Sequence, residues 1–241
     1  MRWIYLSPHL DDAVLSCGGL IAEQRSRKLE VEVWTIFAGL PSEHAGGLLA
    51  AYLHSRWGFV NGRQAMQERR EENERASSML LAKPRYFPFL DCIYRQDEEG
   101  HPLYDNIFAP PHPAENDLPA RIAAVLQEHL GEHDVLVSPL AVGEHVDHVL
   151  VRQAAEMLAR PLWGYAEVPY IFRSPQELEQ KTQNLQSVLF QVSFWGKKAW
   201  FSACGAYHSQ IEELFGSAEA MQKAMQEYAE RENGVRLWKI K

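Results

Sequence analysis

Twice in this chain a short apolar run of strand character ends in a knot of histidine and aspartate and passes at once into a helical pattern. The first run, Trp3-Ile4-Tyr5-Leu6, leads into Ser7-Pro8-His9-Leu10-Asp11-Asp12. The second, Val135-Leu136-Val137-Ser138-Pro139, leads into His145-Val146-Asp147-His148. Helical spacing follows over 13–28 and over 147–159, and each helix gives way to another strand, Val31–Phe37 and Leu162–Val168. Strand, helix, strand implies parallel neighbours joined by right-handed crossovers. The expected fold is therefore α/β, a Rossmann-like three-layer sandwich with a mostly parallel sheet. Ligands of such sheets bind beyond the carboxyl ends of the strands, where both knots fall.

The remaining segments suit one domain spanning 1–241. Helices are expected over Gln64–Leu81, 118–130, 175–188 and 210–232, and further strands over 84–90, ending at Asp91, and 235–238. Residues 40–63 and 96–117 predict long surface loops. The second is acidic and carries Pro102, Pro110, Pro111 and Pro113, which exclude regular structure. Gly18-Gly19 is expected to let its helix approach the sheet closely, since neither a dinucleotide fingerprint nor a phosphate loop surrounds it. Trp200 and Tyr207 read as core residues.

With 24 basic and 32 acidic side chains, the net charge of −8 leaves no footprint for nucleic acid. No apolar run is long enough for an integral membrane segment. Three widely spaced cysteines, Cys17, Cys92 and Cys204, suit reduced thiols, which points to the cytoplasm. Assembly is not fixed by these features, leaving a homo-oligomer open.

The chemistry lies in the two knots. Two histidines and a carboxylate with a position left open make a hydrolytic metal centre, because the ion lowers the pKa of water to about 7. His9 and Asp12, three residues apart, can face one point, and His148 can complete the set. Asp11 then projects elsewhere as an unligated acid/base. His145, three before His148, faces the same cavity and, in its protonated form, is suited to stabilise an oxyanion or protonate a leaving amine. Asp147 reads either as the hydrogen-bonding partner that sets the tautomer of His145 or as a helix cap. Asp91 either projects over the sheet edge towards substrate or caps a turn. His44, His54, His101, His112, His129, His133 and His208 read as surface or structural groups.

Ser7-Pro8-His9-Leu10-Asp11-Asp12 with Gly18-Gly19, together with His145-Val146-Asp147-His148, resembles the two signature motifs of the PIG-L/LmbE-like deacetylases. Those enzymes use zinc to remove N-acetyl groups from N-acetylglucosamine-type sugars. Arg69, Glu72 and Ala76 resemble the family's Arg-x-x-Glu-x-x-x-Ala helix, and Lys198-Ala199 with Ser209-Gln210 its C-terminal segment. The resemblance implies zinc on His9, Asp12 and His148, Asp11 as general base, and Arg69 as a substrate contact. Taken without the resemblance, Arg69 is a surface partner of Glu72 or Asn73. The same ligand set accepts iron(II). Leu10, Ala13 and Val146 replace the family's usual proline, glutamate and proline, and no ligand is lost. Gly143 stands where some sugar-thiol branches carry a tyrosine, so that branch's tyrosine-assisted mechanism is not expected. The expected reaction is metal-dependent deacetylation of a small amino sugar or glycoconjugate. An amidase on a non-sugar N-acyl compound and a non-catalytic sugar-binding protein are the alternatives.

Overall fold

The computed structural model describes residues 1–43 and 45–241; His44 lies outside the described residues. Strand β1 (Arg2–Ser7) is followed by α1 (Asp12–Ser26), β2 (Glu30–Thr35), α2 (Leu48–Trp57), α3 (Gly62–Met79) and β3 (Lys83–Tyr86). Then come α4 (Leu118–Gln127), β4 (Val135–Pro139), α5 (Val146–Met157), β5 (Leu162–Tyr165), α6 (Tyr170–Arg173) and α7 (Pro175–Thr182). The chain closes with β6 (Gln186–Gln191), α8 (Phe194–Cys204), α9 (His208–Phe215), α10 (Ala218–Glu232) and β7 (Gly234–Lys239).

These strands form one sheet in the order β3-β2-β1-β4-β5-β7-β6. From β3 to β5 every neighbour is parallel, and only β7 runs antiparallel, between β5 and β6. Alternation along β1 fixes both faces: Ile4 and Leu6 enter one core cluster with Trp34, Leu136 and Leu150, while Tyr5 enters another with Val14, Val33 and Trp200. Helices cover both sides, as a parallel sheet requires. The strand order reverses between β1 and β4, whose registers meet at Tyr5↔Val137. Loops leaving these two carboxyl ends diverge to opposite faces, and the crevice between them is the ligand position of such a fold.

Several boundaries differ from expectation. Residues 40–63 contain a ten-residue helix, α2, rather than short helical pieces. The strand expected over 84–90 ends at Tyr86, because Pro88 and the chain beyond it no longer pair in the ladder. What read as a helix over 175–188 is α7 followed by the edge strand β6, and the expected helix over 210–232 is divided at Gly216, whose φ is +85°. Lys197-Lys198-Ala199 lies inside α8.

The Gly18-Gly19 pair faces α8 rather than the sheet. A Cβ on Gly18 would stand 2.4 Å from Cδ1 of Trp200. That indole cannot swing away freely, since its Nε1–H donates to the carbonyls of Val14 and Leu15. Alanine at position 18 would gain about 1 kcal/mol of helix propensity against the clash, whereas a β-branched residue gains less. Gly18→Val is therefore expected to destabilise by about 1–3 kcal/mol. Thermal unfolding checks this, at about 2–4 °C per kcal/mol for a chain of this size.

Candidate active site

The turn after β1 is built by Ser7. Its hydroxyl accepts the N–H of Ala13 at 3.0 Å and donates to the carbonyl of His9 at 2.5 Å, bending the chain into α1. Asp12 Oδ2 accepts the backbone N–H of His9 at 2.7 Å, which holds the first knot together. Asp11 occupies the N-cap position, yet its side chain makes no cap bond and so stays free to face the cavity.

After β4 the chain passes through Ala141, Gly143 and Glu144, all with positive φ. Such a path costs energy at the non-glycine positions unless it is held. Glu167, fully buried just past β5, holds it by accepting the N–H groups of Ala141 at 2.6 Å and Val142 at 3.2 Å. The same carboxylate reaches His148 Nδ1 at 3.3 Å. His145 then caps α5, its Nδ1 accepting the N–H of Asp147 at 3.2 Å. A ring nitrogen that accepts there carries no proton, so neutral His145 bears its proton on Nε2.

The two knots meet at Asp12. Its Oδ2 lies 3.4 Å from His9 Nδ1 and 3.3 Å from His148 Nε2. Ligands about 2.0–2.1 Å from a tetrahedral zinc stand about 3.3–3.4 Å apart, the spacing of both contacts to Asp12. His148 Nε2 is buried with no hydrogen-bond partner, an atom that a metal would satisfy. Its Nδ1 contact with Glu167 is the carboxylate–histidine arrangement that orients a metal-binding imidazole. One donor atom each of His9, His145 and His148 also fall within 4.8 Å of one another.

Charge follows the same geometry. Burial would depress His148, but Asp12 and Glu167 outweigh it and hold the imidazole at about 9. Burial likewise opposes ionisation of Asp12, and the two imidazoles overcome it, holding the carboxyl well below its usual range. Asp11 goes the other way: burial raises it, with Arg69 opposing. His145 is held well below the ordinary imidazole value by burial and then by His9 and His148, so it is neutral here rather than protonated.

Arg69 is not a surface residue. It is 4% exposed, stacks on Trp57 at 4.9 Å, and stands 3.4 Å from Asp11 Oδ1 and 3.9 Å from Asp91 Oδ2. Glu72 turns instead to Ser209, accepting from both its N–H and its hydroxyl. Asp91 borders the cavity 3.7 Å from His9 Nε2, and also caps the short 3₁₀ turn at Cys92–Tyr94. The expected pairing of Asp147 with His145 is corrected in its chemistry. Only the backbone of Asp147 serves His145; its carboxylate binds His9 Nε2 at 2.9 Å, Arg95 Nη1 at 2.6 Å and the N–H of Cys92 at 3.0 Å. Nor does Asp147 cap α5, a role taken by His145.

Sequence reading missed Glu167, Arg95 and Tyr170. Glu167 follows an apolar strand run much as Asp91 does, which was a usable signal; Arg95 and Tyr170 carried none. Tyr170 packs over Gly143, where a Cβ would stand 2.6 Å from its ring, and lies edge-on to His148 at 5.4 Å. With Trp57, Ile107 and Phe108 it walls a cavity of about 180 Å³ above the two knots.

Residues 4–159 match the family model for GlcNAc-PI de-N-acetylase, PIG-L. The match spans well over half of the chain and includes both knots. This chain belongs to the PIG-L family. A 2'-N-acetylparomamine deacetylase of Niallia circulans is 29% identical to it over 236 residues, 89% of this chain and 82% of that protein. Among solved structures, the zinc-inhibited form of the teicoplanin deacetylase Orf2 aligns with a TM-score of 0.85 at 26% identity, over 99% of this chain and 97% of that one. The A40926 pseudoaglycone deacetylase Dbv21 aligns with a TM-score of 0.80 at 28% identity, over 99% and 96%. As a PIG-L family member the chain is a deacetylase, and its buried donor set is one that zinc accepts. Among the described residues no helix is long and apolar enough to cross a membrane.

Proposed function

We propose that this chain is a zinc-dependent hydrolase that removes an N-acetyl group from an N-acetylglucosamine-type sugar or glycoconjugate, acting as one domain over 1–241 in the cytoplasm. The observation that carries the reading is Asp12 Oδ2, 3.4 and 3.3 Å from two imidazole nitrogens, with His148 Nε2 buried and without a hydrogen-bond partner. His9, Asp12 and His148 would hold the ion. Zinc bound there supplies Lewis acidity, lowering the pKa of water to about 7 and polarising an amide carbonyl.

The protein's own groups do the rest. Asp11 borders the cavity as a buried carboxylate outside the ligand set, suited to take a proton from water and hand it to the departing amine. His145, with Nδ1 engaged by backbone, presents Nε2–H as a neutral donor to charge developing on the acetyl oxygen. Arg69 and Asp91 offer donor and acceptor to sugar hydroxyls, and Trp57 and Tyr170 offer flat apolar walls to the ring. Relatives named as deacetylases of 2'-N-acetylparomamine and in teicoplanin formation support this substrate class. Three buried free cysteines suit a reducing compartment.

Acetate release from zinc-loaded protein tests the reading, using N-acetylhexosamines, their glycosides and non-sugar N-acyl amines. Turnover confined to the sugars is expected. No acetate from any sugar would overturn it, and turnover of the non-sugar amides alone would make the enzyme an amidase. Metal binding adds a second expectation. Zinc must displace the protons that His148, up to about pH 9, and His9, raised well above the ordinary imidazole value, hold in the metal-free protein, so zinc affinity rises with pH through neutrality. Chelator competition at successive pH values measures it, and a flat profile would exclude His148 as a ligand.

A further inference from the structure

Arg95 lies behind the metal-facing residues, outside the cavity wall, and is 8% exposed. Its guanidinium is held through two of its three nitrogens, while Nη2 is buried without a hydrogen-bond partner. Nη1 donates to Asp147 Oδ1 at 2.6 Å and to the carbonyl of Leu90 at 3.0 Å, while Nε pairs with Glu115 Oε1 at 2.6 Å. Phe37 and Tyr104 stack against it at 4.9 and 5.3 Å. Glu115, itself 6% exposed, accepts the hydroxyl of Tyr104 at 2.6 Å, and that hydroxyl accepts the N–H of His112 at 2.8 Å. Segment 96–117, expected as a surface loop, thus sends Tyr104 and Glu115 inward to grip one arginine.

A buried group of one cation and two carboxylates is expensive to desolvate and adds little stability over a packed apolar cluster. Its use is therefore sought in what it orients. Asp147 has no exposed surface, and Arg95 takes one of its oxygens. The other oxygen is thereby aimed at His9 Nε2, 2.9 Å away. A carboxylate at Nε2 keeps the proton on that nitrogen and leaves the lone pair on Nδ1, the atom that faces Asp12. Without the guanidinium, the Asp147 carboxylate keeps only the Cys92 N–H, 3.0 Å from the oxygen that faces His9, and the hold on the tautomer and ring angle of His9 loosens.

We propose that Arg95 is a positioning residue for the metal, acting through Asp147 on His9, and that segment 96–117 tunes metal affinity through its grip on Arg95. The inference rests on His9 being a zinc ligand, as proposed above. The test is zinc affinity by chelator competition for Arg95→Met, Arg95→Lys, Glu115→Gln and His9→Ala, with circular dichroism and thermal unfolding run beside it. Removing such an outer-sphere partner typically weakens metal binding by about 10–100-fold, which is the loss expected for Arg95→Met. Arg95→Lys should recover part of it, since an ammonium can reach Asp147 but cannot fork to Glu115 or stack as guanidinium does. Glu115→Gln should weaken zinc by less than Arg95→Met.

Native zinc affinity in folded Arg95→Met overturns the proposal, even with a lowered Tm, because that is the mark of a merely structural cluster. If Arg95→Met does not fold, Glu115→Gln decides, and native affinity there overturns it. His9→Ala separates the two layers. Full affinity in that variant refutes His9 as a ligand, whereas lost affinity there with native affinity in Arg95→Met refutes the positioning role alone.

Discussion

Asp11→Asn is expected to keep its bound zinc and to lose acetate release by about 10²–10⁴-fold, the usual contribution of a positioned acid/base. The asparagine matches the carboxylate in shape, so Arg69 keeps an oxygen to approach and the N-cap backbone geometry is undisturbed. What disappears is the ability to accept a proton. Asp11 is suited to that task by burial, which raises its pKa, and by its place at the cavity wall outside the Asp12–His148 contact. Metal content and kcat are the two measurements. Loss of zinc along with activity would mean that Asp11 is a ligand; full activity would remove it from the chemistry.

Asp12→Ala is expected to have the largest effect of any single change, abolishing both zinc retention and turnover. Asp12 is the carboxylate that both imidazoles address, and the loss of metal affinity should exceed the about 10–100-fold cost of an outer-sphere partner. The variant also loses the bond to the His9 N–H, a cost of about 1 kcal/mol. Its fold should survive, because His9 keeps Asp91 and Asp147, and His148 keeps Glu167, as charge partners. Thermal unfolding separates that modest destabilisation from the metal effect. A folded Asp12→Ala that still retains zinc would require a ligand set centred on His9, His145 and His148 instead.

Both knots and the parallel centre of the sheet were legible because buried strands such as Ile4–Leu6 and Leu136–Val137 are apolar without interruption. The edge was not. Strand β6 has five of its six residues exposed, so no one-sided burial pattern marks Gln186–Gln191 as a strand. In α3 the charged run concealed an inward polar stripe of Arg69, Glu72 and Asn73, which follows helical spacing but finds its partners in Asp11, Ser209 and Tyr207. Charge at helical period identifies a face, not which way the face points. Arg95 was invisible for a related reason: it gains its role from contacts with Asp147 and Glu115, distant in sequence, and a lone base leaves no periodic trace.

The cavity of about 180 Å³ is small beside the about 300–1,000 Å³ typical of sites that engulf a ligand. On the proposed reading, one acetylated sugar ring takes up such a space, and whatever is bonded beyond that ring trails into solvent. A site of that shape would read the acetylated end of its substrate and leave the rest of the molecule unexamined.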